Sequence, residues 1–506
     1  MHTNNINKVK RAAILPVLIL AAFALQGCQS GYRDHTKKIM HAYAGGDYIT
    51  AAEISKDGAN KKAEKQKDRI AYYLEAGRTA QAAHNIDDSI AYYDAIFEEI
   101  RPYLDTKAEN TITEGIATTA VNQAQSIYKA TPGERILLNT LNALNYIQVG
   151  DLDAARIELN RAADWQQDAV RRYAKEIEKA QKEADKAAAE NNLEGTSQGV
   201  PSYLSSYYTE LDDMTAYADF QNPFTSHLRG IFLLATAADD GDYSNARFDL
   251  RMAASTNQSA LPAIEPDLNA LEGFMRHATE PATWVYFMTG TAPRLTEFRL
   301  DIPIPIGGVN YVSAAFPRLE REPNYLPYLD VQTSDGSTAR SLPIVSVENI
   351  IASEFKTRLP TIITQEIAST VAKAAATYAL KEGAGIWGQV VGIAYQAAST
   401  SADLRTWRTL PKEVQLVRLS TPADGLLHLT SEGGRNLGSV QVTPNESNLI
   451  VVTMPSPLAP TPSITVSQLS GISSVHYQPP VYDEDSTENI EDNEQAEANN
   501  QQPNQG

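Results

Sequence analysis

The sequence predicts a mainly α-helical protein, in which a solenoid of helical repeats is followed by a smaller α+β domain with a helical hairpin and a β-sheet. Three observations predict this fold class. Residues 31–278 show helical periodicity and are rich in Ala, Leu, Tyr, Glu and Lys. After Glu280, short apolar segments alternate with Gly and Pro, which is typical of strands. The 506 residues are also too many for one compact core, so more than one domain is expected.

The first 27 residues have the pattern of a secretory signal. Basic residues precede an apolar run from Ala12 to Ala24 that is too short to span a membrane. The next four residues, Leu25-Gln26-Gly27-Cys28, resemble the lipobox of bacterial lipoproteins. This resemblance implies cleavage before Cys28, which would then carry lipid such as palmitate on its sulfur and its amine.

Cys28 is also the only cysteine of the chain, so an internal disulfide is impossible. The alternative interpretation of Cys28 is a buried structural cysteine. Gln29 and Ser30 stand where similar enterobacterial lipoproteins retained at the inner membrane carry Asp. The resemblance therefore implies a lipid anchor in the outer membrane of a Gram-negative bacterium, on the periplasmic face.

Helical repeats are clearest between Ile136 and Ala162. This segment resembles a tetratricopeptide repeat, with two helices separated by a turn at Gly150. Small Ala143 and Ala155 would let the two helices approach closely. Gly150 is expected to end the first helix in the left-handed conformation.

Three further segments fit the same register less well. Gly46 and Gly241 are predicted turn residues, and Gly77 is predicted to be a close-contact residue ahead of a turn at His84-Asn85. We therefore expect residues 28–278 to form a tetratricopeptide-like solenoid. An irregular helical bundle is the alternative, since similar turns also join ordinary antiparallel helices.

Residues 168–192 form a highly charged run whose apolar side is mostly alanine. Such a helix is stabilised by charge pairs along its own surface, for example Glu178 with Lys182. We expect it to project from the solenoid, as a spacer or as a partner surface.

The α+β domain is predicted over residues 280–470. Ser334-Asp335-Gly336 is expected to be a hairpin turn, and two helical segments, Val347 to Lys381 and Ile386 to Leu404, separate two groups of strands. We expect the strands on both sides of these helices to share one sheet. The predicted strands are Trp284 to Met288, Leu295 to Ile306, Asn310 to Ala315, Leu329 to Thr333, Ala339 to Val347, Gln415 to Leu419, Leu426 to Thr430, Ser439 to Val442 and Leu449 to Met454.

Two motifs of this domain, Glu354 to Pro360 and Asp403 to Pro411, together with the alanine-rich helix between them, resemble an uncharacterised family of proteobacterial outer-membrane lipoproteins with a tetratricopeptide-like N-terminal half. The family implies no activity. Arg405, Trp407 and Arg408 in the second motif could contribute cation–π contacts and bind a carboxylate of a partner. Alternatively, the tryptophan fills the sheet and the arginines pair with neighbouring acids.

No motif of the chain favours an enzyme. Ser197 lies in a formal Gly-x-Ser-x-Gly match, but no strand precedes it and no helix follows it, so we treat the match as chance. The eight histidines are never spaced four apart and no cysteine is left to assist them, so neither a metal nor another cofactor is expected. Gly388 and Gly392 form a small-xxx-small pair that suits a close helix crossing, in a soluble hairpin or in a membrane-bound complex.

The net charge of −19 argues against nucleic acid as a partner and against docking on anionic lipid through charge. Part of the negative charge lies in residues 471–506, a tail that its composition predicts to be disordered. A calcium site in this tail is disfavoured, because the spaced ligands and central glycine of a calcium loop are missing.

These observations together predict a non-catalytic protein–protein interaction scaffold in the periplasm, bound to another envelope protein and with no small-molecule substrate evident. Arg78, Gln81 and Gln148 are the candidate partner contacts, since they are expected on solvent-facing positions of first helices. The alternatives are a regulator of a peptidoglycan synthase, resembling the lipoprotein activators of penicillin-binding proteins, a subunit of a secretion or transport complex, and a cell-wall or lipid hydrolase.

Overall fold

The computed structural model describes residues 31–61, 67–101, 126–190, 204, 206–211, 221–272, 281–306, 309–370, 373 and 401–469. Cys28, Ser197, the Gly388–Gly392 pair and the tail 471–506 lie outside the described residues. The described chain is a mixed α and β structure with a large helical share. Within it, no helix is both long enough and apolar enough to cross a membrane.

Ten α-helices account for most of the helical share in the described residues. They are α1 (31–44), α2 (Tyr48–Lys61), α3 (Arg69–Ala82), α4 (Ile86–Ile100), α5 (Pro132–Val149), α6 (Leu152–Glu190), α7 (Pro223–Ala235), α8 (Asp240–Thr256), α9 (Leu261–Glu272) and α10 (347–370). Short 3₁₀ turns lie at Thr209–Leu211, Gln258–Ala260 and Glu432–Gly434. Helices adjacent in sequence pack in pairs, notably α3 with α4, α5 with α6 and α7 with α8.

Three of the four glycines singled out in the helical half have the predicted role. Gly150 caps α5 with φ 77°, and Gly46 has φ 78° between α1 and α2. A Cβ atom on Gly77 would lie 2.3 Å from Cε1 of Tyr93, so α3 and α4 touch where only glycine fits. The prediction for Gly241 is wrong: it lies inside the first turn of α8, because the Asp239 side chain accepts the N–H groups of Gly241 and Asp242 and starts the helix earlier.

The predicted charged helix is confirmed as the outer part of α6, a helix of 39 residues. Lys182 donates to Glu178 at 2.6 Å on its exposed surface. It does not project freely, however. The Thr361 hydroxyl of α10 donates to the Gln181 side chain at 3.2 Å, so α10 lies alongside this arm.

The strands form three sheets in the described residues. Their bounds are β1 (Ala282–Thr289), β2 (Arg294–Ile306), β3 (Val309–Glu320), β4 (Leu329–Thr333), β5 (Thr338–Arg340), β6 (Leu342–Ser346), β7 (Glu413–Ser420), β8 (Leu426–Ser431), β9 (Arg435–Gln441), β10 (Asn448–Met454) and β11 (Ser463–Gln468). The five-stranded sheet has the order β11-β10-β1-β7-β6, the four-stranded sheet β5-β4-β8-β9, and β2 and β3 form a hairpin.

Strands before and after the α10 region do pair as predicted, but they do so in two sheets instead of one, and β2 and β3 form a separate hairpin. β1 pairs with β10 in parallel and with β7 in antiparallel orientation, so strands from both ends of the domain meet at the centre of the five-stranded sheet. The predicted hairpin turn is confirmed as well, with Gly336 at φ 89° between β4 and β5.

The five-stranded sheet is buried on both faces. Trp284, Tyr286 and Met288 of β1 pack into a core with helices α3, α5 and α7, whereas Val285 and Phe287 pack against the four-stranded sheet. Both faces of a buried strand must be apolar, which explains the continuous hydrophobic run of β1. The helical half and the sheets therefore share one hydrophobic core.

A second core joins the β2–β3 hairpin to α10. Phe316 of β3 and Phe298 of β2 pack with Phe355 and Ile363 of α10, and the Tyr208 segment covers them. This core lies beside the main one, and Ile351 contacts both.

Candidate partner-binding site

The three residues that the sequence singled out on the first helices line one cleft. Arg78 and Gln81 lie on α3, and Gln148 lies near the end of α5. The cleft has a volume of about 20 Å³, which is room for a group of the size of a water molecule. The other lining residues come from α3, α5, β10 and β11: Ala82, Leu144, Leu449, Val451, Thr453, Ser463, Thr465 and Ser467.

The expectation that Arg78 and Gln81 face solvent is wrong. Arg78 is 1% exposed and Gln81 9%, because the five-stranded sheet covers this side of α3. The Arg78 guanidinium donates through Nη2 to Thr453 Oγ1 at 3.0 Å and through Nη1 to Gln81 Oε1 at 2.9 Å. Gln148 alone keeps part of its surface in solvent, at the rim of the cleft.

Arg405 and Trp407 are also buried, and Arg408 is half-buried. Arg405 pairs with Asp403 at 2.7 Å and with Asp68 at 3.0 Å, which joins the segment before β7 to the start of α3. Arg408 pairs with Glu322 at 3.0 Å. The structure thus corresponds to the alternative interpretation, in which these arginines bind carboxylates of their own chain.

Residues 402–410, here called the inner segment, lie between the helices and the sheet. The Trp407 ring meets the Tyr93 ring edge to face, with centroids 5.9 Å apart, and Tyr93 is the residue that touches Gly77. The Tyr32 hydroxyl of α1 donates to the Thr406 carbonyl at 3.3 Å. Helices α1, α3 and α4 therefore contact the same few residues of the inner segment.

Two buried carboxylates of the helical half bind the backbone of the inner segment. Glu75 of α3 accepts the N–H of Arg408 at 2.8 Å and of Thr409 at 3.1 Å, and it also accepts the Thr409 hydroxyl at 2.6 Å. Glu134 of α5 accepts the N–H of Trp407 at 3.0 Å. Because the inner segment here is not in a sheet, these side chains satisfy amides that have no strand partner.

Burial changes the acidity of these carboxylates. It raises the pKa of Glu75 to about 7, although the Thr409 hydroxyl and the two amides act in the opposite direction. Burial also raises the pKa of Glu134 above its ordinary value, against hydrogen bonds from Tyr128 and from the Thr131 and Trp407 amides.

Glu354 of α10 is a third buried carboxylate at this junction. It accepts the N–H of Gly133 in the first turn of α5 at 2.7 Å. Burial raises its pKa to about 7, and the nearby Glu134 carboxylate contributes to the increase. The N-terminus of α5 is therefore a meeting point of the helical half, α10 and the inner segment.

None of these three carboxylates was predicted as a site residue, although Glu354 begins one of the two motifs of the family resemblance. For Glu134 a signal was present: Thr131-Pro132-Gly133-Glu134 matches the capping box, and the structure forms both of its hydrogen bonds. Glu75 sits among Leu74 and Ala76 on a buried face and carries no local signal, since its partners are more than 300 positions away in sequence.

The three carboxylates are each engaged by backbone amides, and no group of three or more potential metal ligands is found in the part of the chain that the structure describes. Comparisons of the chain with protein-family models, with curated proteins and with solved structures find no match.

Proposed function

We propose that this protein is an outer-membrane lipoprotein that acts as a non-catalytic interaction scaffold in the periplasm. The observation that carries the proposal is the lipobox Leu25-Gln26-Gly27-Cys28 placed directly before a helical half. Lipid on Cys28 would fix the chain at the membrane, since each buried methylene contributes roughly 0.8 kcal/mol.

We further infer that the helical half is a tetratricopeptide-like solenoid. The glycine turns at Gly46 and Gly150 support this, and so do the close contacts between paired helices. A Cβ atom on Gly230 of α7 would lie 2.7 Å from Cγ of Leu250 in α8, which parallels the contact of Gly77 with Tyr93. Such repeats commonly bind peptides or helices.

The covering of α3 by the sheet changes which surface can serve a partner. The buried face of α3 is occupied by the chain's own strands and inner segment. One opening at this junction is the cleft whose rim is formed by Gln148 and Thr465. The scaffold would therefore act through a composite surface that neither half forms alone.

Crosslinking in the native envelope tests the proposal. The full chain, crosslinked in cells that produce it and then purified, is expected to carry one recurrent protein partner. Cys28→Ser is the matched control: it is expected to release the protein from the outer-membrane fraction and to reduce recovery of that partner. Recovery of no partner under any crosslinking condition, or an unchanged membrane fraction for Cys28→Ser, would contradict the proposal.

A further inference from the structure

Arg78 is a buried cation without a carboxylate partner in the described part of the chain. Its guanidinium donates to neutral groups, namely Gln81 Oε1, Thr453 Oγ1 and, at 3.5 Å, the sulfur of Met288. Its Nε is buried and has no hydrogen-bond partner. Other shielded arginines differ: Arg405 pairs with Asp68 at 3.0 Å and Arg418 with Asp267 at 3.0 Å.

Glu75, the acidic residue of α3 itself, does not supply the missing anion. Glu75 lies one turn earlier on α3, but its carboxylate binds the amides of Arg408 and Thr409. A buried charge without a counter-ion destabilises the folded state, so its presence needs an explanation. A ligand that supplies the negative charge would remove this cost.

The cleft around Arg78 has the lining that an anion needs. The Gln148 amide and the hydroxyls of Thr465 and Ser467 are further donors among the lining residues, none of which is a carboxylate. Leu144 and Leu449 form the apolar wall, which strengthens an ionic contact by excluding water. His84 is close to this site through Ser463, at 3.3 Å, but burial lowers its pKa, so Arg78 is the cation at the cleft.

We propose that this cleft binds a carboxylate group, with Arg78 as its counter-ion and Gln148, Thr465 and Ser467 as further donors. The cleft is small, so a planar carboxylate suits it better than the bulkier tetrahedral phosphate. A carboxylate can also accept two parallel N–H bonds from a guanidinium. The source of the carboxylate, a chain terminus or an Asp or Glu side chain of an envelope partner, rests on the proposed scaffold function. The binding of a carboxylate at Arg78 does not depend on that function.

Acetate is the probe for the test. The melting temperature of the purified full chain is measured at pH 7.5 in rising sodium acetate, with sodium chloride holding the ionic strength constant. A saturable rise is expected for the wild type and none for Arg78→Met, since a ligand that binds the folded state raises its stability. Gln148→Ala, a change at the half-exposed rim, is expected to weaken the acetate affinity about threefold to tenfold through loss of one hydrogen bond.

Three results would overturn the proposal: a wild type that does not respond to acetate, a response that persists in Arg78→Met, and an equal or larger response to inorganic phosphate that depends on Arg78. If Arg78→Met does not fold, a Gln148→Ala response equal to that of the wild type would count against the site. Peptides with a free or an amidated C-terminus, each with and without an internal Glu, then distinguish the source of the carboxylate. If the acetate response is intact but no partner is crosslinked, the proposed scaffold function is contradicted and the proposed carboxylate site is retained.

Discussion

Individual side chains at the junction carry charge where the surroundings exclude water. Glu75 binds two backbone amides and a hydroxyl, whereas Arg78, one turn later on α3, has neutral partners. The hydrogen bonds to Glu75 favour its ionised form, but burial disfavours that form and has the larger effect. We therefore expect the free energy of unfolding to depend on pH through the ionisation of Glu75.

Glu75→Gln tests this dependence. The pKa of Glu75 in the folded state is about 7, above its ordinary value of 4.5, so the folded state binds the proton more tightly than the unfolded state. The stability gained by protonation is complete below about pH 4.5 and is lost as the pH rises through 7. Urea unfolding should show the wild type gaining about 3 kcal/mol relative to Glu75→Gln between pH 8 and pH 4. A constant difference between the two proteins would refute this.

Gly77→Ala tests the close contact of α3 and α4. The added methyl would lie 2.3 Å from Cε1 of Tyr93, which is fixed between Gly77 and Trp407. We expect a loss of about 1–3 kcal/mol in the free energy of unfolding from overpacking. Gly150→Ala is the control, because no atom lies within 4 Å of its Cβ position; its cost of about 1–2 kcal/mol would come from the positive φ alone. Adding Tyr93→Ala to both variants should relieve the steric part of the Gly77→Ala loss and leave the Gly150→Ala loss unchanged.

At the scale of the element, the inner segment joins helices to sheet. Its backbone is bound by Glu75 and Glu134, and its Trp407 ring is buried between the two halves. Removing the ring would leave a cavity in contact with Tyr93. The attachment of α3 and α4 to the sheet should therefore depend on this one side chain.

Trp407→Ala is expected to lower the free energy of unfolding by about 3–5 kcal/mol, and Trp407→Phe by clearly less. Leu458→Ala, at a residue 81% exposed, should change it by less than about 0.5 kcal/mol. Limited proteolysis gives a second measure, in which Trp407→Ala should be cut faster in the inner segment. Equal stabilities of Trp407→Ala and Leu458→Ala would show that the segment does not join the two halves.

The sequence predicted the elements well where the signal is local. Short apolar segments bounded by Gly and Pro predicted most of the strands, although β11 was missed and β5 and β6 were predicted as one strand. The Gly150 and Gly336 turns followed from the freedom of glycine at positive φ. The role of Gly241 was mistaken, since the Asp239 cap competes with the glycine for the start of α8. The burial of Arg78 and Gln81 could not be predicted, because α3 alone shows no reason why a sheet from residues 282–468 should cover it.

For the whole molecule, the shared core is the main consequence of the fold. Apolar residues of α3, α5 and α7 are in one cluster with those of β1, β7 and β10. The Tyr48 hydroxyl of α2 also bonds to the carbonyl oxygens of Thr453 and Thr461, at 3.2 and 3.1 Å. A helical half that buries its apolar face on a sheet is not expected to be stable without it.

Calorimetry of the full chain should accordingly show the helical half and the sheets unfolding in one transition, with equal calorimetric and van't Hoff enthalpies. Far-UV circular dichroism, which follows the helices, and tryptophan fluorescence, to which Trp284 on β1 and Trp407 contribute, should give the same midpoint. Two separated transitions, one for each half, would contradict the shared core.

We propose that the junction of helices and sheet presents a partner-binding cleft in a membrane-anchored scaffold. The most direct measurement places a photo-crosslinking amino acid at Gln148, on the cleft rim, and at the exposed Asp87 of α4 as a control, in cells that produce the protein. We predict a discrete protein adduct from position 148, none from position 87, and loss of the adduct when Arg78→Met is added. Absence of an adduct at position 148, or an adduct that Arg78→Met leaves unchanged, would contradict the claim.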